Sequence, residues 1–354
     1  MVTEVIFKMQ KSLRIIALVS TAIIAPAAHA NTIDAIYAFG DSLSDVGNIY
    51  TATGGTMPAA PYVGGQFSNG NNWVQDLASG LGLPALTPSL TGGTDYAYGG
   101  AETAVTSFNT ALAATDLLGP TGQIAQFDAA HPTANPNALY TIWIGSNDLL
   151  GILASAPTPA QAATDLGIVS GNIDTAISLL VGSGAKDFLI LTVPDLGSIP
   201  EVQALGPTAV TEASTLSAEF DSTLVNGAGS IPSLSTIAAG DSVSISVLNT
   251  YPLIDSIVAN PSEYGFTNVN SPCYTGTYEG FADSADPGTV CANPNQYLFW
   301  DSLHPTAAAD ALVADAALAT VTPTPEPSVL LMLGTGLLTL LVLAARTKRH
   351  TPTA

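Results

Sequence analysis

Residues 36–48 read IYAFGDSLSDVGN, an apolar run that gives way at once to polar residues. The apolar part ends a predicted strand over 33–40, and its continuous hydrophobicity is typical of a strand covered on both faces in a parallel sheet. Ligands of such sheets bind beyond the carboxyl ends of the strands. Asp41, Ser42 and the residues after them are therefore the first candidates for a functional site.

Three further segments have a strand-like pattern, and helical patterns alternate with them. The predicted strands are 137–145, 186–194 and 243–248, and the predicted helices are 73–81, 122–130, 160–183 and 210–225. This alternation predicts an α/β fold with three layers, a doubly wound and mostly parallel sheet with helices on both faces, in one domain over residues 31–320. The Gly- and Thr-rich stretches 51–72 and 86–95 are predicted to be long loops at the carboxyl edge of the sheet.

Charged residues are few and unevenly distributed. The 354 residues include 28 Asp and Glu but only 7 Lys and Arg, a formal net charge of −21. Between residues 31 and 325, Lys186 is the only basic residue beside 26 acidic ones, since of the 28 only Glu4 and Glu326 lie outside that range. A body with one cation cannot neutralise a row of phosphates, which excludes nucleic-acid binding and adhesion to anionic lipid through a basic patch.

Residues 1–30 have the organisation of a secretory signal peptide. Lys8, Lys11 and Arg14 precede an apolar run, and Ala28 and Ala30 are the small residues of a predicted cleavage site. A short N-terminal membrane anchor is the alternative interpretation. We expect the body of the protein to be exported.

The C-terminal residues form three consecutive parts. A linker over 321–327 ends in Pro-Glu-Pro, the 18 uncharged residues 328–345 are long enough to span a bilayer as a transmembrane helix, and 346–354 is a basic tail expected in the cytoplasm. This order resembles a PEP-CTERM sorting signal, which implies a Gram-negative bacterium and an exosortase as processing partner. An uncleaved single-pass anchor is the alternative. Both place the body in the periplasm, at the cell surface or in the extracellular matrix.

The chain has two cysteines, Cys273 and Cys291, both in the body. In an oxidising compartment an isolated pair is most simply a disulfide, although two free thiols are also compatible with the sequence. So few Cys and His residues argue against a metal site, and no cofactor is expected.

Only two histidines lie in the body. His131 stands in a polar loop ahead of a predicted strand and is expected at the surface. His304 follows Asp301 by three residues, so the carboxylate can orient the imidazole from the same turn, and a serine nucleophile needs such a base. The alternative is that Asp301 caps a final helix from 305 to about 320, with His304 in its first turn.

The polar stretches after the predicted strands carry a family resemblance. Residues 39–48, which contain Gly-Asp-Ser-Leu, look like the first block of the GDSL esterase/lipase family within the SGNH hydrolase superfamily. Residues 95–101 resemble its second block, 145–148 its third and 301–305 its fifth, and 67–73 also resembles a family segment. The blocks follow the family order across residues 36–306. One departure is Asp95, where many members have Asn.

The resemblance implies a role for each matching residue. Ser42 would be the nucleophile, His304 its general base and then its general acid, and Asp301 the carboxylate that orients the imidazole. Asp41 and Asp45 are interpreted as supports of the turn that carries the nucleophile and not as metal ligands.

The resemblance also implies an oxyanion hole. Its donors would be the backbone N–H groups of Ser42 and Gly100 and the side-chain amide of Asn147. Gly99 competes with Gly100, because the glycine doublet leaves the alignment ambiguous by one residue. Taken singly, Ser42 could instead be a helix N-cap, and Asn147-Asp148 a turn pair.

The sequence therefore predicts an exported serine hydrolase that cleaves carboxylic esters of a lipid or an acylated sugar, without metal or organic cofactor. A polysaccharide O-deacetylase that acts on exopolysaccharide is one alternative, raised by the resemblance of the C-terminal tail. A non-catalytic, matrix-associated protein on the same fold is the other. The presence of Ser42, Asn147, Asp301 and His304 together argues against that last interpretation.

Overall fold

The centre of the fold is a parallel sheet of four strands. A computed structural model describes residues 33–104, 115–276 and 288–322 of the chain. The strands are β1 (Ile36–Gly40), β2 (Leu139–Trp143), β3 (Asp187–Leu191) and β4 (Ser244–Leu248), hydrogen-bonded in the order β1-β2-β3-β4. All four strands that the apolar runs predict are present, and the expected α/β fold is confirmed.

A short extended segment lies along the outer edge of β1. The backbone N–H of Ala38 donates to the carbonyl of Thr94 (3.1 Å), and that of Tyr96 donates to the carbonyl of Ala38 (2.7 Å). This parallel bridge continues to Gly40, whose carbonyl accepts from Tyr98 N–H (3.2 Å). The bridge carries residues 95–101 to the carboxyl end of β1, beside the polar residues that follow it.

Helices cover both faces of the sheet. They are α1 (Asn48–Ala52), α2 (Trp73–Gly80), α3 (Gln123–Ala130), α4 (Ser146–Ala154), α5 (Pro159–Ser183), α6 (Pro200–Ala204), α7 (Pro207–Asn226), α8 (Leu234–Asp241), α9 (Thr250–Ala259) and α10 (Ala307–Val321). A second, two-stranded parallel sheet joins β5 (Asn268–Pro272) to β6 (Tyr297–Phe299). The helical patterns predicted α2, α3, α5 and α7, and the alternative interpretation of Asp301 included the final helix α10. Helices α1, α4, α6, α8 and α9 and the small sheet were not predicted.

Alternate strand residues enter two separate hydrophobic cores. Tyr37, Phe39 and Phe188 pack into one core with α3, α4, α5 and α7. Ile36, Ala38 and Leu189 point to the other face, where α2 and α10 pack over them. Strands β1, β2 and β3 therefore bury both faces, which explains why their sequences are apolar without alternation, whereas β4 at the edge of the sheet alternates serine with apolar residues and is less buried.

The longest helix, α5, belongs to the first core. It is the one helix within residues 33–104, 115–276 and 288–322 that is long and apolar enough to cross a membrane by length and composition. Nine of its 25 residues are buried, including Leu166, Ile173 and Leu180, so it packs as a core helix. The predicted segments 1–30 and 328–345 lie outside the described residues.

Candidate active site

Ser42 lies in the sharp turn after β1. A Cβ on Gly40 would stand 2.3 Å from the carbonyl oxygen of Trp143, so only glycine fits where the chain leaves the sheet. The side chain of Gln123 holds this point by accepting from the Gly40 N–H (2.9 Å) and donating to its carbonyl (2.7 Å). Because α1 begins only at Asn48, with Gly47 as its N-cap, the N-cap interpretation of Ser42 is wrong.

Three side chains from distant parts of the sequence form one chain of hydrogen bonds. Ser42 Oγ lies 2.8 Å from His304 Nε2, and His304 Nδ1 lies 2.8 Å from Asp301 Oδ2. All three residues are buried, at 9%, 3% and 0% exposure for Ser42, His304 and Asp301. The structure thus brings together the three residues that the sequence singled out.

The surroundings of His304 raise its pKa. Burial opposes the charged imidazolium, but the charge and hydrogen bond of Asp301 outweigh it, so the pKa of His304 lies above its usual value. The charges of Asp41 and Glu201 act in the same direction. A base that holds a proton more firmly is suited to take one from serine.

Asp301 shapes the turn that carries His304 and does not cap the final helix. Its Oδ1 accepts the backbone N–H groups of Leu303 (2.8 Å) and His304 (2.6 Å). The N-cap of α10 is Thr306, whose side chain accepts from the N–H of Ala309 (3.3 Å). The helix-cap interpretation of Asp301 is therefore wrong, because α10 starts beyond the turn.

The segment 67–73, which the sequence linked to the family, fastens this turn from the other side. Asn69 Oδ1 accepts the N–H of Ala307 (2.8 Å), and Ser68 Oγ donates to the carbonyl of Pro305 (3.0 Å). The ring of Phe67 lies 5.3 Å from that of His304. The predicted loop over 51–72 thus does reach the site.

Apart from the Ser42 N–H, the predicted oxyanion donors lie on two other segments, Gly100 in residues 95–101 and Asn147 in α4. Asn147 lies in the first turn of α4, so the turn-pair interpretation is wrong; one of its amide hydrogens goes to the carbonyl of Ala101 (2.8 Å). The N–H of Gly99 is already donated to Asp45 Oδ2 (2.9 Å). This favours Gly100, whose φ of +77° is readily adopted by glycine, over Gly99 as the backbone donor.

Asp45 joins the nucleophile turn to the segment that carries Gly100. Its Oδ1 accepts the N–H groups of Gly47 (2.7 Å) and Asn48 (2.6 Å), and its Oδ2 accepts those of Ile49 (3.2 Å) and Gly99 (2.9 Å). These contacts fit the predicted supporting role of Asp45, which stays a prediction. Burial raises its pKa to about 6, against the opposing effect of these four hydrogen bonds.

Asp95, the departure from the family pattern, also lies in this network. Its Oδ2 accepts from the backbone N–H of Val46 (2.9 Å) and the side-chain amide of Asn48 (3.2 Å), and its Oδ1 accepts from Ala97 N–H (3.2 Å). Burial and the charge of Asp45 hold the pKa of Asp95 well above its usual value. Both oxygens of Asp95 act as hydrogen-bond acceptors in the structure.

A cavity opens beside Ser42 and His304. Its wall includes Leu150, Leu196, Ile199, Ile254 and Leu303, with Asn147 and Asp195 among the few polar residues. The space next to the Ser42 hydroxyl therefore suits an apolar group.

Cys273 and Cys291 form a disulfide in the structure. The N–H of Cys273 donates to the carbonyl of Phe299 (3.1 Å), and that of Tyr274 to the carbonyl of Trp300 (2.6 Å). The disulfide is thus attached to the residues just before Asp301.

Reduction of this disulfide is expected to destabilise the protein by roughly 3 kcal/mol, because the bond closes a loop with a sequence separation of 18. Activity should fall as well, since the segment before Asp301 loses a restraint. The measurement is the Tm and ester hydrolysis of the full chain with and without reductant. Cys273→Ser/Cys291→Ser serves as the control that reductant should leave unaffected, and an unchanged Tm and rate in the wild type would show that the bond restrains nothing.

The burial of His131 differs from the expectation, and the contact that Tyr62 makes with the site was not predicted from the sequence. His131 is half-buried instead of exposed, with its ring 5.0 Å from both Tyr37 and Phe127. Tyr62 donates to Asp301 Oδ2 (2.6 Å), yet it stands in a Gly- and Pro-rich loop where nothing in the local sequence marks it.

Known proteins resemble this chain over most of the described residues. The sequence model of the family described as GDSL-like Lipase/Acylhydrolase matches residues 36–317. The thermolabile hemolysin of Vibrio parahaemolyticus is 25% identical over 290 residues, which cover 80% of this chain and 62% of the hemolysin, so the chain spans less than two thirds of that relative. The phosphatidylcholine-sterol acyltransferase of Aeromonas hydrophila is 26% identical over 319 residues, 80% of this chain and 88% of the relative.

Plant proteins and solved structures are also similar. GDSL esterase/lipase 5 of Arabidopsis thaliana is 27% identical over 317 residues, which cover 78% of this chain and 80% of the plant protein. An acetylxylan esterase from Geobacillus stearothermophilus superimposes with a TM-score of 0.39 at 15% identity, over 82% of this chain and 96% of the esterase.

Proposed function

The chain belongs to the GDSL-like lipase/acylhydrolase family, and we propose that it is a serine hydrolase that cleaves carboxylic esters through an acyl-enzyme. The observation that carries the proposal is the buried chain of hydrogen bonds from Ser42 through His304 to Asp301, with 2.8 Å at each step. This is the arrangement that lets a weak serine nucleophile react at neutral pH.

In the proposed reaction Ser42 Oγ bonds to the carbonyl carbon of the ester and passes its proton to His304 Nε2. The negative charge that develops on the carbonyl oxygen is held by the N–H groups of Ser42 and Gly100 and by the amide of Asn147. His304 then gives its proton to the departing alkoxide, which leaves as an alcohol. A water molecule repeats the sequence on the acyl-enzyme and releases the acid, with Asp301 orienting the imidazole throughout.

The cavity supports an ester with an apolar acyl chain as substrate. Leu150, Ile199 and Ile254 line the space beside Ser42, and burial of one methylene group there is worth about 0.8 kcal/mol. An acetyl group alone would leave most of this apolar wall without contacts, so we infer a preference for longer acyl chains over acetylated sugars.

The acyl preference gives a direct test on the full chain. Hydrolysis of p-nitrophenyl acetate, butyrate, hexanoate and octanoate is expected to show kcat/KM rising roughly 4-fold for each added methylene while the chain still fits the cavity. Ser42→Ala measured beside it gives the background hydrolysis of each ester. A profile that is highest for acetate would contradict the acyl-chain assignment and favour an O-deacetylase, and a lack of serine-dependent hydrolysis of every ester would contradict the proposed activity itself.

We also propose that the hydrolase domain, residues 31–320, works outside the cytoplasm. The signal-peptide pattern of residues 1–30 and the Cys273–Cys291 disulfide support export. The order of Pro-Glu-Pro, apolar stretch and basic tail over 321–354 supports sorting by an exosortase-type enzyme, or retention in the membrane by the apolar stretch 328–345.

A further inference from the structure

Tyr62 contacts the carboxylate of Asp301 directly. Its hydroxyl donates to Asp301 Oδ2 over 2.6 Å, although the two residues are 239 positions apart in sequence. The same oxygen lies 2.8 Å from His304 Nδ1. Tyr62 is 7% exposed, so this hydrogen bond is formed in a buried, low-dielectric environment where bonds to charged groups are strong.

The other partners of the carboxylate come from its own turn. Asp301 Oδ1 accepts the backbone N–H groups of Leu303 and His304, and Oδ2 faces the imidazole and Tyr62. A carboxylate has about four lone-pair positions, and these four contacts fill them. Within the described ranges, Tyr62 is the only side-chain donor to Asp301 from outside the turn of residues 301–304.

Tyr62 is itself held in place by a small aromatic cluster. Its ring packs edge-on against Trp300, with the ring centroids 6.2 Å apart, and against Tyr274 at 5.8 Å. Cys273 of the disulfide belongs to the same cluster, and the rings of Tyr274 and Trp300 stack at 5.7 Å. The hydroxyl is therefore fixed by packing and does not rely on the hydrogen bond alone.

We propose that Tyr62 is a positioning residue of the active site, which fixes the orientation of the Asp301 carboxylate and moderates its attraction for the imidazolium of His304. The inference rests on the proposed serine-hydrolase function. Tyr62 acts through Asp301 and His304, so we do not assign it to the reacting groups.

The electrostatic consequence has a definite sign. The O–H of Tyr62 withdraws electron density from Oδ2, which weakens the pull of this oxygen on the proton of His304 Nδ1. Without the hydroxyl, the Asp301 carboxylate would attract the His304 imidazolium more strongly, so the pKa of His304 would rise. Asp41 and Glu201, the other charged groups that raise this pKa, are unchanged by a substitution at Tyr62.

The test is Tyr62→Phe in the full chain, which removes the hydroxyl and keeps the ring. We expect kcat for a p-nitrophenyl ester to fall about 10-fold with little change in KM, as for the loss of one hydrogen bond to a charged group. The acidic limb of the pH–rate profile should move to higher pH. The pKa of His304 itself can be followed by NMR, since the chain has 4 histidines and His304→Gln identifies the signal.

Tyr297→Phe is the matched control, because Tyr297 packs against the same cluster but makes no contact with the Asp301 carboxylate. If Tyr62→Phe, like Tyr297→Phe, keeps the wild-type kcat and pKa of His304, or changes only the Tm, Tyr62 is a packing residue and the inference is overturned. The NMR titration needs no turnover. A wild type without esterase activity would therefore contradict the proposed function, while the effect of Tyr62 on His304 would still be measured.

Discussion

Replacing Ser42 with alanine is expected to lower kcat/KM for every ester substrate by about 10⁶-fold, close to complete loss of serine-dependent turnover. Ser42 Oγ is the hydroxyl that lies 2.8 Å from His304 Nε2, so the variant has no nucleophile within reach of the base. The residual rate should still exceed that in water, because Gly100 and Asn147 can polarise a bound ester without the serine.

The comparison of Ser42→Ala with the wild type needs a second serine variant as a control and a second measurement besides turnover. Ser302→Ala removes a hydroxyl next to Asp301 whose hydrogen bond to Glu201 is long, at 3.4 Å, and it should leave kcat/KM nearly unchanged. A fluorophosphonate probe should label the wild type and Ser302→Ala but not Ser42→Ala. If Ser42→Ala keeps more than about 1% of the wild-type kcat/KM, Ser42 is not the nucleophile.

The sheet and the three hydrogen-bonded residues Ser42, His304 and Asp301 could be predicted from the sequence for different reasons. Strands β1, β2 and β3 could be predicted because both of their faces are buried, which leaves continuous apolar runs such as residues 36–40. Ser42, Asp301 and His304 could be predicted because each belongs to a recognisable local sequence pattern and the body has only two histidines. Their mutual distances, in contrast, depend on the fold.

The sequence could not resolve features that depend on contacts between distant segments. Gly99 and Gly100 look equivalent in the sequence, and only the hydrogen bond from Gly99 to Asp45 separates them. The role of Tyr62 depends on a contact across 239 positions from a loop without periodicity. Helix α4 was missed because Gly-Ser-Asn-Asp at 145–148 is equally typical of a turn.

The scarcity of cations explains how the site is built. With Lys186 as the only basic residue between positions 31 and 325, the buried carboxylates cannot be paired with Lys or Arg. Asp45 and Asp148 accept hydrogen bonds instead: Asp45 accepts four backbone N–H groups, and Asp148 accepts the backbone N–H of Thr103 at 3.0 Å and its hydroxyl at 2.7 Å. Burial raises the pKa of Asp148 to about 8, against these hydrogen bonds. The hydrogen bonds of Asp45 and Asp148 therefore each join two segments of the site that are distant in sequence.

Replacing Asp301 with asparagine should cost about 10⁴ in kcat, although the side chain keeps its shape. The two backbone N–H groups on Oδ1 require an acceptor, so the amide oxygen of the variant must face Leu303 and His304. The amide NH₂ then takes the place of Oδ2 and points a donor at His304 Nδ1. The imidazole must accept there and carry its proton on Nε2, where it donates to Ser42 and cannot act as its base.

Neither rotamer of the amide in Asp301→Asn can satisfy all the groups that contact the Asp301 carboxylate. The hydroxyl of Tyr62 donates to Oδ2 in the wild type and would meet a second donor in the variant, so rotation of the amide cannot satisfy both sides at once. The measurement is kcat for Asp301→Asn from pH 6 to 10, with Asp301→Ala as the comparison and Tm as a check on folding. Recovery of the rate at high pH would fit a base held in the wrong tautomer, since hydroxide can replace it. A variant within about 10-fold of wild type at pH 7 would show that Asp301 does not set the tautomer of His304.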